Sequence, residues 1–146
     1  MIFSKSFGYA IRGILYVTLM SNEKEKVQLN EISEKLSVPR HFLAKIMKRM
    51  VKEGILTSSK GPNGGFSINK KTISTKIETI LRLTDGPADI NNCVLSFRKC
   101  NATLPCPLHH QIKSYKQDLY ALLRENTIAD LLNKDKSLFI QSLSVI

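Results

Sequence analysis

No apolar run in the 146 residues approaches the roughly eighteen that a membrane helix needs, and the best candidate, Ile11 to Met20, is short and interrupted by Arg12. No membrane association is expected. The N-terminus has no apolar leader of signal-peptide form, and cysteine is both scarce and odd in number, at three. Disulfides are therefore not the basis of the fold, and a cytoplasmic protein with reduced thiols is expected. A chain of this length can bury a hydrophobic core without covalent staples. Catalytic constellations are missing too: there are no paired carboxylates, no Asp or Asn orients the cysteine and histidine residues, and no phosphate loop ends in Lys-Ser. The chain does not read as an enzyme.

Acidic residues are sparse in the first half. Residues 1–76 hold fourteen Lys/Arg against five Asp/Glu, whereas residues 77–146 hold eight against seven, so nearly all of the +10 net charge lies N-terminally. A polyanion suits such a half, because neutralising phosphates releases condensed counterions. A solvated basic surface is the plainer reading of the same charge.

Helical periodicity predicts a largely buried first helix over 5–21, and a short second helix in Val27 to Leu36 with Leu29, Ile32 and Leu36 on one face. Ser37 and Val38 form a tight connection, and Pro39 suits the first position of a third helix running to about Lys52. Phe42, Leu43, Ile46, Met50 and Val51 form its inward stripe, while Arg40, His41, Lys45, Lys48, Arg49 and Lys52 fall largely outside it. Gly54 stops the helix. Ile55 to Ser58 and Phe66 to Asn69 then read as strands flanking the turn-rich tip Lys60-Gly61-Pro62-Asn63-Gly64-Gly65.

This order predicts a mostly α fold with a small β-hairpin wing, a winged helix-turn-helix followed by a long dimerisation helix. Arg40, His41 and Lys45 stand where a recognition helix reads base edges, and Lys48 and Arg49 where it meets phosphates. Lys60 and Asn63 sit on the wing tip, within reach of a minor groove or flanking phosphates. A fourth helix is expected over Lys76 to Leu83, capped by Ser74 or Thr75. Residues 84 to 106 lack either period over most of their length. From Pro107 a long helix carries Leu108, Ile112, Tyr115, Leu119, Leu122 and Leu123 near a 3.5-residue repeat, a stripe suited to a second copy of the chain. Thr127 to Leu132 reads as a short capped helix, and the apolar tail from Ser137 as a segment that docks. The expected division is 1–84 for the DNA-binding domain, 85–106 for a cysteine-containing sensor loop, and 107–146 for the dimerisation helix and C-terminal segment.

All three cysteines lie in one fourteen-residue window, Cys93, Cys100 and Cys106, with His109 and His110 close behind. Soft thiolates favour zinc, copper(I) or iron-sulfur clusters, and the C-x6-C-x5-C spacing is wider than the short knuckle of most structural zinc sites. A metal-free thiol switch remains open, with Arg98 and Lys99 beside Cys100 marking it as the reactive thiol.

The ordering resembles the iron-sulfur cluster regulator family of winged-helix transcription factors, the IscR/NsrR-like group. The resemblance rests on Tyr9-Ala10-Ile11-Arg12, Glu31-Ile32-Ser33, Phe42-Leu43 and the wing Lys60 to Phe66, and further on Cys93, Cys100, Cys106-Pro107-Leu108 and Thr127 to Leu132. It covers about residues 1 to 132. It implies a homodimeric regulator of transcription bound to double-stranded operator DNA, whose cysteines hold an iron-sulfur cluster, 2Fe-2S rather than 4Fe-4S. That cluster would report redox state, iron-sulfur status or nitric oxide. In the IscR-like branch the fourth ligand is a histidine three positions after the last cysteine, here His109. The acidic residue that serves in the nitric oxide branch is replaced by Gly8. A glutamate of the IscR-like recognition helix corresponds to Ala44 and a wing arginine to Lys60, so operator sequence does not carry over. The same fold working without a cluster, through a thiol switch or a partner, is the alternative; an RNA-binding module or a cysteine-dependent enzyme ranks below it.

Overall fold

The computed structural model describes residues 3–87, 92–95, 98–132 and 136–145. Helix α1 (Lys5–Met20) begins at Ser4, whose hydroxyl accepts from the Phe7 N–H, and ten of its sixteen residues are buried. It is the central element, packed against α3 (Arg40–Lys52) and α5 (Ile77–Asp85). Ile14, Ile32, Leu36, Leu43, Met47 and Ile80 are all fully buried around it. Burying such side chains contributes about 1.5–3 kcal/mol each.

Between α2 (Leu29–Leu36) and α3 the chain turns through Ser37, which adopts a left-handed conformation at φ 52°, while Val38 is buried and Pro39 serves as the α3 cap residue. The turn is closed by the Ser33 hydroxyl, which donates to the Val38 carbonyl at 2.7 Å. Helix α3 ends before Gly54, whose φ of 76° is the left-handed geometry that favours glycine. The buried arc of α3 is Leu43, Met47 and Met50, so the expected stripe is corrected at Phe42, which is 51% exposed. Only a narrow arc meets α1 and α2, and Phe42 falls outside it.

The wing is a two-stranded antiparallel sheet, β1 (Thr57–Ser59) with β2 (Gly65–Ser67), paired Thr57 to Ser67. It starts later than expected because Ile55 and Leu56 are core residues, 0% and 2% exposed. Paired 2.8 Å backbone hydrogen bonds between Val27 and Phe66 tie β2 to the chain just before α2. After the wing comes α4 (Lys70–Ser74), which the periodicity does not predict. Asn69 and Thr72 form its capping box, and the buried Thr72 hydroxyl donates to the Ile55 carbonyl at 2.5 Å. Helix α5 therefore starts at Ile77 behind Lys76, with no side-chain cap from Ser74 or Thr75.

Helix α6 (His109–Glu125) buries only His109 and Leu123. Leu108 just before it, Tyr115 and Leu122 are 41%, 73% and 52% exposed, so much of the apolar stripe is uncovered. Backbone bonds from Ile77 N–H to Asn126 and from Ile128 N–H to Thr75 clamp the chain beyond α6 to the α4–α5 connection. Thr127 and Asp130 cap α7 (Ile128–Leu131), which seats Ile128 in the core. Helix α8 (Lys136–Val145) returns to α1 and α2 and buries Leu143; Ile146 lies outside the described residues.

Candidate nucleic-acid interface and cysteine–histidine site

Arg12 anchors the helix pair from behind. It is 7% exposed, its Nε donates to the Leu143 carbonyl at 2.7 Å, and its Nη2 donates to the Leu36 carbonyl. Loss of water lowers its pKa from the usual value, with a smaller opposing effect from Tyr9. One turn further along α1, the Tyr16 hydroxyl and Lys24 ammonium both bond Glu31 at 2.9 Å. Burial would raise the Glu31 carboxyl, but those two hydrogen bonds outweigh it and hold the group below the usual glutamate range. Burial, reinforced by Glu31, pushes the Tyr16 phenol well up.

The sequence-predicted cations are on the surface this frame presents. Arg40, His41, Lys45, Lys48 and Arg49 are all exposed on α3, and Lys60 and Asn63 are exposed at the wing tip. His41 stacks against Phe42 with ring centroids 4.1 Å apart, which places the exposed aromatic among the cations. The wing tip keeps its shape through Gly64, where a Cβ would lie 2.3 Å from the Ser59 carbonyl oxygen. Gln28, the α2 cap residue, donates from Nε2 to the Pro62 carbonyl at 3.0 Å and so holds the wing to α2. Between α3 and the wing runs a groove of about 550 Å³ lined by Arg40, Lys48, Lys60, Asn30 and Ser59 among others. Asn30 and Gln28 were not singled out from sequence. They are polar residues at the head of a short helix, and their role depends on partners 10 and 34 residues away.

The second site lies at the head of α6. Asn92 bridges to Lys99, and the Cys93 N–H donates to the Arg98 carbonyl at 2.9 Å, which holds Asn92 and Cys93 beside Arg98 and Lys99. Residues 88–91 and 96–97, within the expected sensor loop, lie outside the described residues. Lys116 of α6 donates to the Asn92 carbonyl and so fastens this bridged segment to the helix. Cys106 accepts through its carbonyl from the His109 N–H at 3.0 Å, which starts α6.

His109 is buried at 5% exposed, and its Nδ1 lies 3.1 Å from Cys100 Sγ. His110 is exposed. Cys100, Cys106 and His109 share a cavity of about 200 Å³ with Ile112, Lys113 and Lys116. Cys93 is buried but does not line that cavity. No disulfide joins the cysteines. Among the described residues no three His, Cys, Asp or Glu side chains converge as they would around a single metal ion. Two thiols and an imidazole on one cavity are a donor set suited to a thiolate-rich group, and Cys93 is not among its lining residues.

Residues 3–134 match the model of a protein family, Rrf2, described as an iron-dependent transcriptional regulator. A protein of Aquifex aeolicus (strain VF5), provisionally named an HTH-type transcriptional regulator, is 36% identical over 142 residues, covering 95% of this chain and 97% of its own. Among solved structures, CymR, the global cysteine regulator of B. subtilis, superposes with a TM-score of 0.71 at 18% identity, over 90% of this chain and 97% of that one. T. potens IscR gives a TM-score of 0.63 at 19% identity, over 88% and 84% of the two chains. At these identities the structural likeness concerns the fold. No helix among the described residues is long and apolar enough to cross a membrane.

Proposed function

Because the chain belongs to the Rrf2 family of DNA-binding transcriptional regulators, we propose that it is a cytoplasmic homodimer whose operator affinity is set by an iron-sulfur cluster held by Cys93, Cys100, Cys106 and His109. One observation carries the reading: a buried imidazole and two cysteine thiols share a cavity at the head of α6. A thiolate-rich cluster in the 2Fe-2S form would supply a redox-sensitive, negatively charged link there.

The chain's own part is mechanical and electrostatic. Lys113 and Lys116 stand beside the cavity, where their charge offsets that of thiolates. Lys116 also holds the carbonyl of Asn92, next to Cys93. Helix α6 then runs seventeen residues to the core, where it packs on α5 and buries Leu123. A change at its head is thereby linked to the body that carries α3. Leu108, Tyr115 and Leu122 supply the apolar face for a second copy, and the two recognition helices of a dimer must enter major grooves about 34 Å apart. A small rotation between subunits misaligns one of them. In this reading Arg40, His41 and Lys45 meet bases, while Lys48, Arg49, Lys60 and Asn63 meet phosphates or the minor groove.

Iron and sulfide quantitation with visible spectroscopy on anaerobically purified protein tests the ligand set. Wild type should be coloured, and Cys100→Ala and His109→Ala should lose or shift the absorption. Loaded and chelator-stripped protein should differ at least about tenfold in operator affinity, within the usual range of a coupling free energy. Equal affinities would sink the coupling.

A second reading, a thiol switch without a cluster, is favoured by the 3.1 Å Cys100–His109 contact and by the position of Cys93 off the cavity. Colourless protein that takes up no iron or sulfide on reconstitution, yet changes DNA affinity on thiol oxidation, would establish it instead.

A further inference from the structure

Arg40 is the first residue of α3, and its Nε donates to Oδ1 of Asn30, the second residue of α2, at 2.5 Å. Both residues are exposed and both line the groove between α3 and the wing. An arginine has only donors, so the amide oxygen must face it, which leaves the Asn30 Nδ2 group pointing its donors elsewhere. With the Nε edge occupied, the guanidinium still has its end edge, where Nη1 and Nη2 offer a parallel pair of N–H donors. The guanidinium, one of the groups lining the groove, thus keeps a pair of donors and offers no acceptor.

We infer that Asn30, outside the recognition helix, is a specificity-positioning residue: it fixes Arg40 by its Nε edge so that the end fork reads a guanine. The major-groove edge of guanine shows two adjacent acceptors, N7 and O6, which a donor-only fork satisfies. Adenine places its N6 donor beside N7 and would leave one N–H opposed by another. A backbone phosphate also offers paired acceptors, but Lys48 and Lys60 already line this groove, and the first turn of a recognition helix is the part that reaches base edges. Fixing the fork before binding removes the rotamer entropy that a free arginine would lose.

The inference rests on family-level DNA binding and is independent of the cluster reading, because base preference can be read separately in loaded and metal-free protein. Full-length wild type is used to select sites from randomised duplex, and affinities for the selected site and its single-base changes are then measured with each variant. At one guanine position, Asn30→Ala and Arg40→Lys should each cut discrimination by about tenfold, the worth of a good bidentate pair. Asn30→Asp keeps the acceptor oxygen and should retain discrimination within about twofold. The double variant Asn30→Ala/Arg40→Lys should lose no more than Arg40→Lys alone. Both positions are exposed, and a thermal melt checks that each variant is folded. An even loss across all sequences with a shallower salt slope would seat the fork on phosphate and overturn the guanine assignment. Unchanged preference in Asn30→Ala, or no guanine enriched by wild type, would overturn it as well.

Discussion

At the residue scale, this protein relies on polar side chains whose partners lie outside their own element. Glu31 takes hydrogen bonds from Tyr16 and Lys24 and joins α1 to α2 beneath the helix-turn-helix. Its folded-state pKa is depressed, so the unfolded chain binds the proton more readily. The resulting stabilisation is complete above the unfolded pKa and is lost as pH falls through the folded one. Glu31→Gln should therefore lower stability by about 1 kcal/mol at pH 7, a modest figure because Lys24 is half exposed. The deficit should shrink on acidification below the usual carboxylate range, where a protonated glutamate resembles glutamine. Urea titrations at pH 7 and near pH 3 check this, and a gap that stays constant with pH would exclude the ionic origin.

The elements divide by how much of their surface the domain covers. Helices α1 and α3 were legible because their apolar periods run long enough to define a face, and Gly54 and Thr127 mark ends by chemistry that acts within one turn. Helix α4 is illegible in the sequence because five residues show no period, and its Asn69–Thr72 capping box is a signal only once the helix is in place. Phe42 misled because a period locates a face but not its width, and only partners decide how wide a buried arc is. Helix α6 is the reverse case: its stripe was read from spacing, and the domain leaves Tyr115 and Leu122 exposed. Tyr115→Asp with Leu122→Lys should convert the proposed dimer to monomers while leaving the monomer's melting transition nearly intact. Sedimentation at several concentrations decides this, and an unaltered dimer would place the interface elsewhere.

At the scale of the whole molecule, the C-terminal segment is built into the fold of the N-terminal one. Leu143 is 4% exposed, and its carbonyl and that of Leu36 both bond the Arg12 guanidinium, so one buried cation joins α1, α2 and α8. Leu143→Ala should cost about 2–3 kcal/mol, as a large-to-small core change does. Arg12→Lys, which cannot span both carbonyls, should cost about 1–3 kcal/mol. Because the Leu143 side chain and the Arg12 bond to its carbonyl both hold α8 in place, the double variant should fall short of the sum. A single unfolding transition is expected throughout, and a separate early transition for α8 would show that the tail is merely attached.

Periodicity, caps and the ordered motifs were enough to determine a mostly helical winged fold and the regulator family, since each depends on residues within a few turns or on their linear order. The same holds for the cysteine window, the basic character of α3 and the cations exposed there. Tertiary structure decided the rest: that Cys100 meets His109 while Cys93 stays off their cavity, that Asn30 holds Arg40, and that Arg12 joins the carbonyls of Leu36 and Leu143, far apart along the chain. Which side chains meet depends on how helices pack and where turns send them, and no local pattern carries that geometry.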